Sequence, residues 1–137
     1  MVKQVEIELP AFPRGFHLIT EHILRSVDIS HIEYGILHLF IKHTSAAVML
    51  NENYDPSVRT DLENAFNRMV KENEPYYTHV SEGPDDMPAH IKSAMIGTSI
   101  SIPVTAGKLN LGTWQGIYLC EFRNRGGKRR LVATLFY

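Results

Sequence analysis

The chain has 137 residues, enough for one domain with a hydrophobic core, and its 44% hydrophobic and 21% charged content is that of an ordinary globular protein. A formal net charge of -1 argues against a nucleic-acid or membrane-surface role resting on bulk electrostatics, which usually goes with a strong basic excess. The single cysteine, Cys120, excludes an intrachain disulfide framework and points to a reducing compartment.

From the N-terminus, Met1 to Glu6 lacks the apolar stretch of a signal peptide. No apolar run approaches the ~20 residues of a membrane-spanning helix, so a cytoplasmic protein is expected. Val5, Ile7 and Leu9 alternate with Glu6 and Glu8, a half-buried strand stopped by Pro10. Phe16 to Ile19 suggests a second short strand, and Thr20 is expected to cap a short helix through Val27.

Tyr34 to His43 is the clearest strand, with Leu37, Leu39 and Ile41 on one face and Ile36, His38, Phe40 and Lys42 on the other. After Thr44-Ser45, either a bulge or a bend, comes the apolar run Ala46 to Leu50. Asp55 at the N-cap and Pro56 at the first helical position open the best helix, which runs to about Lys71. Asp85 or Asp86 caps a second helix through Met95.

The remainder is strand-like: Ile100, Ile102 and Val104 alternate with Ser99, Ser101 and Pro103, then a turn at Ala106-Gly107 leads into Leu109 to Arg123. Asn124 to Lys128 reads as a hairpin turn before the last strand, Leu131 to Tyr137. With no linker or repeat, residues 1–137 form a single α+β domain of largely antiparallel, sandwich-like sheets with two main helices.

Seven histidines in so short a chain raise the question of a metal. His17, His22, His31 and His38 lack the neighbours that mark a site. His43, His79 and His90 border short polar residues: Thr44-Ser45, then Glu82-Gly83 with Asp85-Asp86, then Asp86 one turn before His90. Three neutral imidazoles make an open site for zinc or a similar divalent ion. Asp86 and His90 are i and i+4 on a helix, so the carboxylate can orient the ring. Spacing alone leaves the matter open, because the plain alternative makes Asp86 a cap and His79 a loop residue.

Further polar groups gather at strand ends. Asn51 and Glu52 end an apolar strand, and Gly112 and Gly116 flank Thr113, Trp114 and Gln115, where a ligand can approach the backbone closely. Glu121 and Arg123 follow apolar residues and are read as partly buried and paired. Lys92 and Arg123 are the candidates for binding phosphate.

Read together, several segments resemble a known family. They are His43-Thr44-Ser45-Ala46, Asn51-Glu52-Asn53 with Asp55-Pro56, His79-x-x-Glu82-Gly83-x-Asp85-Asp86-Met87-Pro88-x-His90-Ile91-Lys92-Ser93, Gly97-Thr98-Ser99 and Gly112-Thr113-Trp114-Gln115-Gly116-Ile117-Tyr118-Leu119-x-Glu121. The whole is similar to the YjbQ family, described as secondary thiamine-phosphate synthases. The resemblance implies a β-rich α+β fold, a homotrimer, and a metal centre built from His43, His79 and His90.

It also implies a weak ability to join a pyrimidine diphosphate to a thiazole phosphate. The dedicated synthase is a (β/α)8 barrel, a fold of roughly 200 residues or more, so the activity in this chain would be convergent. The expectation is a zinc-dependent enzyme for small phosphorylated metabolites. In it Glu82 or Asp86 acts as base or orienter, Ser45, Lys92 and Arg123 contact the anion, and Asn51, Glu52, Thr113 and Gln115 line the rim. A metal-dependent phosphoester hydrolase and a non-catalytic metabolite-binding trimer are the alternatives.

Overall fold

Alternating apolar residues place eight strands in two antiparallel sheets, and the computed structural model describes all of residues 1–137. In chain order the elements are β1 (Val2–Glu8), β2 (Gly15–Leu18), α1 (Thr20–Ser26), β3 (Tyr34–Ile41), β4 (Ala46–Glu52) and α2 (Pro56–Met69). They continue with α3 (Asp86–Ile96), β5 (Ser99–Thr105), β6 (Lys108–Leu109), β7 (Gln115–Glu121) and β8 (Arg130–Phe136). The five-stranded sheet runs β1-β8-β3-β5-β6 and the three-stranded sheet β2-β7-β4. The expected α+β class and sandwich-like sheets are thus observed, with the short α1 as a third helix.

The main core fills the space between the sheets. Leu37, Leu39 and Ile41 of β3 meet Ala46, Val48, Ile117 and Leu119 of the smaller sheet. β7 is buried on both faces, because Tyr118 and Cys120 point away from that core into a second one. There they join Phe16, Ala47, Ala89 and Phe122, with Leu62 and Phe66 of α2 packed alongside. The order of layers is therefore large sheet, small sheet, then α2 and α3. The outer face of the large sheet leaves Ile36, Phe40 and Phe136 exposed. No helix is long and apolar enough to cross a membrane.

Local chemistry explains the helix starts. Asp55 accepts the Ser57 N–H at 2.9 Å, and Pro56 occupies a position whose missing N–H costs nothing. Thr20 serves differently from its expected capping role, since its hydroxyl accepts the Ile117 N–H at 2.9 Å and ties α1 to β7.

Two expectations change. Thr44-Ser45 is a bend between strands of different sheets, because β3 pairs with β5 and β8 whereas β4 pairs with β7. Asn124 to Lys128 is likewise no hairpin turn: β7 pairs with β2 and β4, and β8 with β1 and β3. Both crossings fall at the same end of the small sheet, where Ala46 faces Glu121.

Candidate metal centre

At that end, α3 brings three ligand-type side chains together. Asp86 sits in its first turn and His90 one turn later, on the same face. His79, in the preceding loop, folds back on them. One nitrogen each from His79 and His90 and one Asp86 oxygen all lie within 4.8 Å of one another. Asp86 Oδ2 is the focus, 2.6 Å from His79 Nε2 and 3.1 Å from His90 Nε2. Glu82 Oε2 lies 3.0 Å from His79 Nε2.

The hydrogen bonds around this group hold the donors in one orientation. His90 Nδ1 is 2.9 Å from the Thr44 carbonyl, which can only accept, so Nδ1 carries the proton. The Nε2 of a neutral ring then turns a lone pair toward Asp86 Oδ2, itself an acceptor. Two facing acceptors repel, and a cation between them relieves that repulsion, so the donor set fits a divalent ion. On the other side, Arg123 Nη1 donates to Asp86 Oδ1 at 2.6 Å and leaves Oδ2 free to point at the histidines. Two imidazoles and one carboxylate are the protein share of many catalytic zinc and non-haem iron sites.

Electrostatics favour the ionised carboxylate. Burial pushes the Asp86 carboxyl up, but with no cation bound the His79 hydrogen bond, the charge of a protonated His90 and the Arg123 charge outweigh it and hold the group below its ordinary 3.8. Asp85 follows the same pattern: burial opposes ionisation, and the Asn124 N–H and Arg123 override it. Asp85 does not cap α3 with its side chain as expected, because Oδ2 accepts from Arg123 Nε and the Asn124 N–H, both at 2.9 Å. The centre itself is open. The His79 side chain is 42% exposed and Glu82 60%, whereas Asp86 is 3% exposed. Beside His79 lies a cavity of about 190 Å³ lined by Tyr77, Val80, Pro84 and Met87.

Of the other site residues named from the sequence, Arg123 alone contacts this group. His43 is outside the group: its Nε2 accepts the Arg130 N–H at 2.8 Å. Burial and the neighbouring Arg129 charge hold its ring below the ordinary 6.5, consistent with a neutral acceptor. Arg123 is engaged within the fold, donating to Asp85, Asp86 and the Glu82 carbonyl, the last at 2.9 Å. Lys92 is 1% exposed, with Nζ 2.7 Å from Asn67 Oδ1 and 5.7 Å from the centre of the Phe122 ring. Ser45 accepts from Arg129 at 3.0 Å.

Asn51 and Glu52 face Gly116 and Gln115 at the far end of β4, the Glu52–Gln115 pair being the sixth along from the Ala46–Glu121 pair. That separation is about 20 Å at strand rise. There Asn51 Oδ1 accepts the Glu52 N–H, Glu52 accepts the Tyr54 and Asp55 N–H groups, and Gln115 accepts the Gly112 N–H. Thr113 is exposed in the loop before β7. Within one chain these four residues do not reach the histidines.

Sequence reasoning missed the Thr44 carbonyl, which no side-chain pattern can announce. It also read Asp86 as a support for His90, whereas Asp86 Oδ2 stands in the donor group itself, beside both histidine nitrogens. The i, i+4 spacing was compatible with either arrangement.

The chain is similar to proteins already described. A family model described as UPF0047 protein YjbQ-like matches residues 4–137. The UPF0047 protein YjbQ of Escherichia coli O157:H7 is 52% identical over 133 residues, which is 96% of this chain and 96% of that protein. A UPF0047 protein of Methanocaldococcus jannaschii is 41% identical over 112 residues, 82% of this chain and 77% of that one. Among solved structures, a YjbQ/UPF0047-family protein of Clostridium acetobutylicum is 35% identical with a TM-score of 0.81, covering 95% of this chain and 97% of that chain. A YbjQ-like protein of Sulfolobus solfataricus P2 shares the fold, with a TM-score of 0.85 at 24% identity over 98% of this chain and 96% of that chain. Likeness along nearly the whole sequence places the chain in the UPF0047 protein YjbQ-like family.

Proposed function

We propose that the protein is a divalent-metal-dependent enzyme, with zinc the best-matched ion, and that the reaction its site suits best is hydrolysis of a phosphoester or related bond. The observation that carries this reading is the convergence of His79, Asp86 and His90 on one point, with the His90 lone pair fixed by Thr44. Three protein ligands and an exposed outer side are the pattern of a catalytic rather than a structural zinc site. The ion, when bound, supplies Lewis acidity.

The chain's own groups do the rest. Glu82, exposed and 3.0 Å from His79, takes the proton of the attacking water and returns it to the leaving group. Arg123 holds Asp86, and Thr44 holds His90. Thiamine-phosphate formation, implied by the family resemblance, needs cationic groups for two anionic substrates. Lys92 and Arg123, to which that role fell, are tied to Asn67 and to the acidic pair, so support shifts to hydrolysis. The homotrimer belongs to the same proposal. The uncovered outer face of the large sheet, with Ile36, Phe40 and Phe136 exposed, offers it a surface, and a monomer by light scattering would remove it.

A screen of phosphate and carboxylic esters with zinc-loaded protein tests the reaction. Metal-dependent product release is expected, and Glu82→Gln should lower turnover by about 10²–10⁴-fold without changing metal content. No metal-dependent release from any ester, or full turnover by Glu82→Gln, would sink the assignment.

A further inference from the structure

Beneath the centre lies an ion pair that touches none of its ligands. Arg129 Nε and Nη2 donate to Glu121 Oε1 and Oε2 at 2.7 and 2.6 Å, and their side chains are 5% and 0% exposed. A pair this deep is expensive to desolvate and is often no more stable than an apolar replacement, so its presence asks for another explanation.

The remaining bonds of the pair supply one. Arg129 Nη2 also donates to the Ser45 carbonyl and hydroxyl at 3.2 and 3.0 Å, fixing the chain next to Thr44. Glu121 Oε2 accepts the Arg123 N–H at 3.2 Å, fixing the backbone from which the guanidinium reaches Asp85 and Asp86. One carboxylate thus anchors both groups that orient the centre: the Thr44 carbonyl on His90 and the Arg123 side chain on Asp86. The close packing is built in, since a Cβ added at Gly126 would collide with the Glu121 carboxylate.

We infer that Glu121, paired with Arg129, is a positioning residue for the metal centre, setting ion affinity through Ser45–Thr44 and Arg123 without touching the ion. This inference rests on the metal reading above and deepens it.

Zinc affinity of the purified protein, read by competition with a chromophoric chelator, tests it alongside the visible spectrum of the cobalt-substituted form. Supporting-group changes of this kind cost about 10–100-fold in metal affinity, and that loss is expected for Glu121→Gln with an altered cobalt spectrum. Gly126→Ala, which displaces the carboxylate but keeps both charges, should show the same signature. Should Glu121→Gln not fold, the double variant Glu121→Leu with Arg129→Met leaves no buried charge, and it is expected to keep its thermal midpoint while losing affinity.

Folded variants with wild-type zinc affinity and an unchanged cobalt spectrum would overturn the inference. A wild-type chain that binds neither ion would instead overturn the metal reading, and this inference with it.

Discussion

Arg123 directs Nε to Asp85, Nη1 to Asp86 and Nη2 to the Glu82 carbonyl, which makes it the residue whose loss most cleanly separates two roles. A phosphate-binding arginine could be removed with little effect on the fold. This one holds two buried carboxylates in their ionised form, so Arg123→Met should cost about 3 kcal/mol of stability, at the lower end for breaking a buried pair because the arginine keeps some exposure.

The pH dependence has a definite sign. Asp85 and Asp86 have folded-state values below 3.8, so their contribution is present above the unfolded value and is lost as pH falls through the folded one. In metal-free protein the stability gap between wild type and Arg123→Met should therefore be widest near neutrality and shrink below about pH 4. Thermal melts across pH in the presence of a chelator measure it, and a gap independent of pH would contradict the pairing.

α3 is the element that carries the centre, and its position rests on small residues. Ala89, fully buried between Asp86 and His90, lies in the second core with Ala47 of β4, Tyr118 and Phe122. Leucine there has no room, so Ala89→Leu should cost about 1–3 kcal/mol by overpacking and shift the helix against β4. Because His90 reads its orientation from Thr44, just before β4, the same variant should lose zinc affinity, measured as chelator competition. Unchanged affinity in a destabilised Ala89→Leu would detach the centre from this packing.

Much of this level was legible in the sequence. Alternation in Leu37, Leu39 and Ile41 gave the inward face of β3, and Asp55-Pro56 gave the start of α2. The expected pairing of Glu121 was also met, with Arg129 as its partner. What could not be read was where each strand goes after its turn. Gly126-Gly127 encodes a reversal, but only the three-dimensional packing sends β8 to the other sheet. The same limit applies to His43, which lies outside the His79–Asp86–His90 group because its direction depends on the Thr44-Ser45 bend between sheets.

At the scale of the molecule, the polar motifs divide between the two ends of β4 and β7. The histidine end holds a convergent donor set, and the Asn51, Glu52 and Gln115 end is held by backbone-capping bonds. Sequence showed both clusters and their residue types. It did not show that one strand length separates them, because alternation fixes faces and not which residues lie at the same end.

The proposed metal centre consists of His79, Asp86 and His90 and does not include His43. Metal content after zinc loading and exhaustive dialysis, measured by mass spectrometry on wild type and single variants, tests it most directly. The prediction is one zinc per chain in wild type and in His43→Ala, with loss in Asp86→Asn, His79→Ala and His90→Ala while each remains folded. Full zinc retention in Asp86→Asn, or its loss in a folded His43→Ala, would contradict it.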